Sequence, residues 1–159
     1  MDGRTGQAVA EKGSMGTVLD DVTSDTVDAT HIRRRVDDWE ERLNGLYATI
    51  GDWLPDQWEA RPGAPVMMHE PLMRKFGMVA KPMPTLELRD RVGHAARLEP
   101  RGLWIIGSNG RVDLKGGIQR YLIVDMAENF EAPDWQVAGA ERRCDREAVT
   151  RGWLRRALQ

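Results

Sequence analysis

The chain reads as an α+β protein: a long N-terminal helix packed on an antiparallel β-meander of about four to five strands, followed by a short C-terminal helix. Three observations predict it. Seven apolar residues, Ile32, Val36, Trp39, Leu43, Leu46, Ile50 and Trp53, recur at alternating steps of four and three, the spacing that keeps one helix face apolar. Asn109-Gly110 stands between the apolar runs 103–106 and 112–114, and both residues tolerate the positive φ that a two-residue hairpin turn demands. Six of the eight prolines fall between residues 55 and 84, so that stretch cannot be one regular element.

The helix is expected over residues 30–54. Asp28 or Thr30 can cap its free amides, and Pro55 pushes the residue before it out of the helical region. Asp38 and Arg42 have the favourable i, i+4 order, and Arg33 with Asp37 and Arg34 with Asp38 add weaker pairs. Arg33, Arg34 and Arg35 are read as exposed charges on a solvated helix start. Asn44 and Gly45 are poor helix formers, the glycine costing about 1 kcal/mol, so burial of the stripe must hold the segment together. A 4-3 repeat also suits a coiled-coil seam, but Trp39 and Trp53 are bulky for one, and Tyr47 and Leu54 widen the stripe toward the width of a sheet.

The proline-rich middle is expected to wrap the core as extended chain, with one short helix near 70–76. Pro71 suits its first turn, Leu72, Met73 and Phe76 give an apolar side, and Gly77 can close it. Beyond it, the Asn-Gly turn predicts a hairpin in which Ile106 faces Asp113, Ile105 faces Leu114 and Trp104 faces Lys115. Gly116-Gly117 offers a second turn into a strand over 118–124, which is rich in β-branched and aromatic residues. Segments 85–88, 91–98 and 135–138 supply further strands. Thr150 caps a final helix whose apolar side is Trp153, Leu154, Ala157 and Leu158.

Composition bounds the function classes. At 159 residues with 41% hydrophobic and 30% charged content, the chain suits one α+β domain over 30–159 preceded by a tail. Residues 1–29 are expected to be a disordered acidic tail, glycine-rich and without large apolar groups to offset the entropy of ordering. Residues 1–30 hold six acids against Arg4 and Lys12, about −4, which leaves the body near +2. A body so nearly neutral argues against a dedicated nucleic-acid binder. No apolar run approaches the roughly 20 residues that span a bilayer, and the first 30 residues lack the apolar core of a secretory signal. With Cys144 unable to form an internal disulfide, a cytoplasmic home is expected.

No P-loop, nucleophile elbow, dinucleotide fingerprint, paired-histidine zinc motif or C-x-x-C is found, and no cofactor is expected. His31, His69 and His94 lie far apart, and Cys144 has no neighbouring histidine pattern. Asp113-Leu114-Lys115 is a D-x-K triplet of the kind that metal-dependent nucleases use, where the carboxylate holds Mg²⁺ and the lysine steadies developing charge. A small hydrolase using Asp113 and Lys115, with Asp90, Glu99 or Asp125 as further ligands, is therefore the alternative reading. The main expectation is a non-enzymatic module acting through protein contacts, with homodimerisation as one form of it. Six tryptophans against two Phe and two Tyr, and five methionines between 67 and 83, favour adaptable apolar contact. Trp58, Met67, Met68, Met73 and Phe76 are the expected binding surface.

Overall fold

In the computed structural model, which describes residues 28–117 and 119–159, the apolar stripe folds into helix α1, Ala29–Trp53. Asp28 caps it, its side chain accepting from the His31 amide at 2.8 Å. Ile32, Val36, Trp39, Leu43 and Ile50 are wholly buried. At about 1.5–3 kcal/mol for each such side chain, that burial outweighs the helix-breaking cost of Gly45. Of the expected acidic tail, residues 1–27 lie outside the described residues; Asp28 and Ala29 are the cap and first turn of α1.

The stripe lies on a seven-stranded antiparallel sheet: β1 Trp58–Pro62, β4 Leu86–Asp90, β5 Ala95–Gly102, β6 Arg111–Lys115, β7 Tyr121–Asp125, β8 Trp135–Gly139 and β9 Glu147–Ala148, side by side in that order. From β4 onward it is a meander, and β1 flanks β4 at one edge. The count exceeds the expected four to five because the proline-rich middle is not simply a wrap. It contributes β1 and a separate hairpin, β2 Val66–Met68 with β3 Lys81–Met83, around the short helix α2, Pro71–Lys75. Gly77 follows α2 at φ +70°, as its closing role requires. Helix α3, Arg151–Ala157, is capped by Thr150, whose hydroxyl accepts from the Trp153 amide at 3.1 Å. The strand expected from Ile118 begins at Tyr121, and Ile118 lies outside the described residues.

The Asn-Gly hairpin is a correction. β5 ends at Gly102, and its register on β6 pairs Arg97 with Lys115, Leu98 with Leu114 and Glu99 with Asp113, which leaves residues 103–110 as a loop. The apolar run is claimed by other partners: Glu70 accepts from the amides of Leu103 at 2.9 Å and Trp104 at 3.4 Å. Asn109 donates its amide to Asp125 O at 2.7 Å, and the Asp125 amide returns to Gly110 O at 3.1 Å. Gly110 does have positive φ, +116°, but for a packing reason: a Cβ there would lie 2.3 Å from the Trp39 ring. Ile106, expected in a central strand, is fully exposed in the loop.

Strand alternation divides the sheet into two unlike faces. Leu88, Leu98, Val112, Leu114, Ile123 and Val137 point to α1 and are buried. The other face carries charged residues on β1, β4, β5 and β6, and Leu122, Val124 and Ala138 on β7 and β8. At the outer edge, β1 is blunted: Gly63 donates toward β4 at Thr85 O, which puts the even-numbered amides outward, where Pro62 has none and Trp58 donates to Pro55 O at 2.8 Å.

Candidate functional site

The loop between β7 and β8, residues 126–134, is bound down against α1 by a buried polar network whose hub is Asp125. Asp125 sits at the end of β7 with no solvent exposure. Its Oδ1 accepts from the amides of Ala127 at 3.0 Å and Asp134 at 2.8 Å, fixing both ends of the loop. Its Oδ2 accepts from Arg42 Nη1 at 2.7 Å and Asn109 Nδ2 at 3.4 Å. Arg42 reaches in two further directions, to Asp38 at 2.6 Å and to the carbonyl of Glu131. A heptad earlier on α1, Arg35 donates to the Asn129 side chain. Arg35 is another correction, because only 4% of it is exposed. Burial pulls its pKa below the usual arginine range while Asp38 acts against the shift. The loop supplies one partner, Asn129, for a guanidinium that the sequence alone leaves on the solvated helix start, and the Arg35 Nε stays buried without a hydrogen bond among the described residues.

At the loop's crest Phe130 adopts φ +65°, an unusual conformation for a large side chain. It is held there by two residues of the first turns of α1. The Arg34 guanidinium lies 4.4 Å from the ring centroid and the His31 ring meets it edge-on at 5.8 Å.

Between this loop and the C-terminal half of α1 runs an open groove of about 550 Å³. Leu46 and Trp53 form its helix wall, and Pro133, Trp135 and Val149 face them. Gly45 lies in the helix wall with nothing within 4 Å of where a side chain would begin, so the missing Cβ opens the groove. The rim is acidic. Asp38, Glu41 and Glu131 line it, and the one cation lining it among the described residues, Arg42, is already engaged with Asp38 and Asp125. Such a site offers apolar contact to an inserted side chain and attraction to positive charge on either side of it.

The five residues expected to form a binding surface are not brought together as one. Met73 is wholly buried, Met68 retains 7% exposure, and only Met67, at 63%, is open to solvent. Trp58 and Phe76 are half-buried against the core. Trp58 also begins β1 while the β2–β3 hairpin follows its far end. Met68, Met73 and Met83 instead belong to the core, where unbranched side chains fill irregular space well.

The D-x-K triplet is placed in a strongly cationic setting. Asp113 has no solvent exposure and accepts from Arg111 at 2.8 and 3.2 Å and from Arg120, with Arg101 3.6 Å away. Lys115 turns to Glu99 at 3.6 Å. Asp125 points from the opposite face of the sheet, toward α1, and Asp90 is taken up by the amide and ring of His94 at 2.7 and 2.6 Å. Of the carboxylates in the alternative reading, Glu99 lies directly opposite Asp113 with Lys115 beside it, whereas Asp90 and Asp125 lie on the other face, and among the described residues no group of three or more His, Cys, Asp and Glu is arranged to hold a metal ion.

Sequence reasoning missed the groove because its lining comes from three separated segments: α1, residues 130–135 and Val149. The one available signal was Gly45, a poor helix former retained beside the apolar stripe. No helix of the described residues is long and apolar enough to cross a membrane. No family model, curated protein or solved structure matches the chain.

Proposed function

We propose that the protein is a non-enzymatic, cytoplasmic binding module for a protein partner, and that the groove between α1 and the 126–134 loop receives an apolar side chain of that partner flanked by basic residues. The observation that carries this reading is the pairing of an apolar interior, Leu46, Trp53, Trp135 and Val149, with an acidic rim, Asp38, Glu41 and Glu131. Half-buried tryptophans at such a position have the large contact area and low entropy cost typical of interface anchors. The supporting frame is rigid: Asp125, Arg42 and Arg35 fix the loop, so the groove exists before a partner arrives, which limits the ordering cost of binding. A homodimer is the special case in which the partner segment comes from a second copy.

An array of short peptides, each with a single Leu, Phe or Trp anchor and flanked by Lys/Arg or by Asp/Glu, tests the reading. Basic-flanked peptides should bind and acidic-flanked ones should not. Gly45→Trp fills the groove from a position with open space and should abolish that binding while far-ultraviolet circular dichroism stays unchanged. A folded Gly45→Trp protein that binds as the wild type does would remove the groove from consideration. Light scattering at rising protein concentration separates the homodimer from a foreign partner.

A further inference from the structure

The sheet face turned away from α1 holds a cluster whose charges do not balance. Glu99 and Asp113 are directly opposed on β5 and β6, and like charges so placed destabilise a sheet unless cations intervene. Cations intervene in excess. Glu99 has Arg97 at 3.5 Å, Lys115 at 3.6 Å and Arg101 at 3.9 Å. Asp113 has Arg111 at 2.8 Å, Arg101 at 3.6 Å and Arg120 in direct contact. Five cations therefore surround two carboxylates.

The layering decides what solvent meets. The Asp113 side chain is 0% exposed and that of Glu99 20%, whereas Arg101, Arg120 and Lys115 are 45%, 46% and 39% exposed. The acids lie at sheet level and the cations above them, each guanidinium keeping donors that its carboxylate does not use. A row of directly opposed charged residues continues across four strands, Arg61, Glu87, Arg97 and Lys115, although on β1 and β4 the charges are balanced, Arg61 pairing with Glu59 at 2.6 Å and Arg89 with Glu87 at 3.7 Å. Near-neutral overall composition conceals this, because the acids that balance the body lie elsewhere, Asp38, Glu41 and Glu131 among them.

We propose that this face binds the phosphodiester backbone of a nucleic-acid duplex. The planar fork of arginine matches phosphate oxygens two at a time, and it dominates the array. Three inter-strand spacings of about 4.8 Å spread the charged row over roughly 14 Å before side-chain reach is added, which suits the two backbones bordering a groove better than a single extended strand. Stacking on splayed bases needs aromatic side chains. Tyr121, Trp58 and Trp135 all lie on the opposite face, toward α1, by strand register. Contacts of this kind carry no sequence information, so binding should be insensitive to base order and steeply dependent on salt. The inference does not depend on the groove.

Fluorescence anisotropy with a labelled 24-base-pair DNA duplex, from 50 to 200 mM salt, tests it using the full chain. The wild type should bind, with a log–log salt slope of about −3 to −5, near −0.9 per phosphate engaged. Arg101→Ala with Lys115→Ala should weaken binding at least tenfold and make the slope shallower by about two. These two make the longer ion pairs of the cluster, and a thermal melt confirms that the double variant remains folded. Arg155→Ala, on the exposed side of α3, should leave affinity unchanged. The proposal is overturned if the duplex is not bound at 50 mM salt, or if Arg155→Ala weakens binding as much as the double variant does. Tighter binding of the matching single strand would overturn it as well. So would displacement of the duplex by polyglutamate at equal charge concentration, which would assign the face to an acidic protein segment.

Discussion

Arg42 and Asp125 form an ion pair at 2.7 Å between side chains that are 4% and 0% exposed, and that pair ties the first long helix to the seventh strand's end. Removing one member strands the other in a poorly solvated position. Asp125→Ala should cost about 3–5 kcal/mol in urea denaturation, since it also frees the amides of Ala127 and Asp134. Arg42→Met combined with Asp125→Leu should cost less than Asp125→Ala alone, because the latter leaves the buried Arg42 with only Asp38 and the Glu131 carbonyl to offset its desolvation.

Gly45 lies inside α1 with open space where a Cβ would begin. Gly45→Ala should therefore raise stability by about 0.5–1 kcal/mol, through the smaller entropy of the unfolded chain and the better helix propensity. A loss of stability on chemical denaturation would show that the helix tolerates no methyl at this point.

Gly110 behaves oppositely. Its φ of +116° and the Trp39 ring, 2.3 Å from where a methyl group would sit, leave no room for a side chain. Gly110→Ala should destabilise by about 2–4 kcal/mol, combining backbone strain with displacement of a core tryptophan. Near-ultraviolet circular dichroism should register the movement of Trp39 alongside the drop in melting temperature.

Acid should act through Asp113. Burial pushes its carboxyl up, but hydrogen bonds from Arg111 and Arg120 outweigh that and hold it below the ordinary aspartate range. A folded-state pKa lower than the unfolded one means that its contribution is complete above about pH 4 and is lost as pH falls toward the folded value. Asp113→Asn should lower stability at neutral pH and flatten the decline below pH 4, as measured by urea midpoints across that range.

Much of the architecture is readable in the chain because it rests on local pattern. The 4-3 stripe of α1, the Thr150 cap of α3, and the segments that form β4, β6, β7 and β8 are legible in the chain, whereas β5, Ala95–Gly102, overlaps the expected 91–98 only from Ala95 onward because residues 91–93 make the turn from β4. Asn109-Gly110 departs from its local signal for a tertiary reason: Glu70 takes the amides of Leu103 and Trp104, and Asp125 takes that of Asn109, so the run that resembles a strand is bound by distant groups. Arg35 departs for the same reason, since its partner Asn129 is 94 residues away. The groove and the cationic face share this property. Their residues are ordinary one at a time and acquire meaning only once strand register sets Glu99 beside Asp113 and the loop sets Trp135 across from Trp53.

The blunted outer border of β1 has a bearing on behaviour at high concentration. Among the described residues, Ala60 is the one outward position of this strand whose amide is uncommitted, because Pro62 lacks an amide and that of Trp58 is engaged in a turn. A foreign strand arriving there would gain too few main-chain bonds to lengthen the sheet, so templated fibre growth is blocked at this border. At this border, self-association must proceed through side chains rather than through a shared ladder.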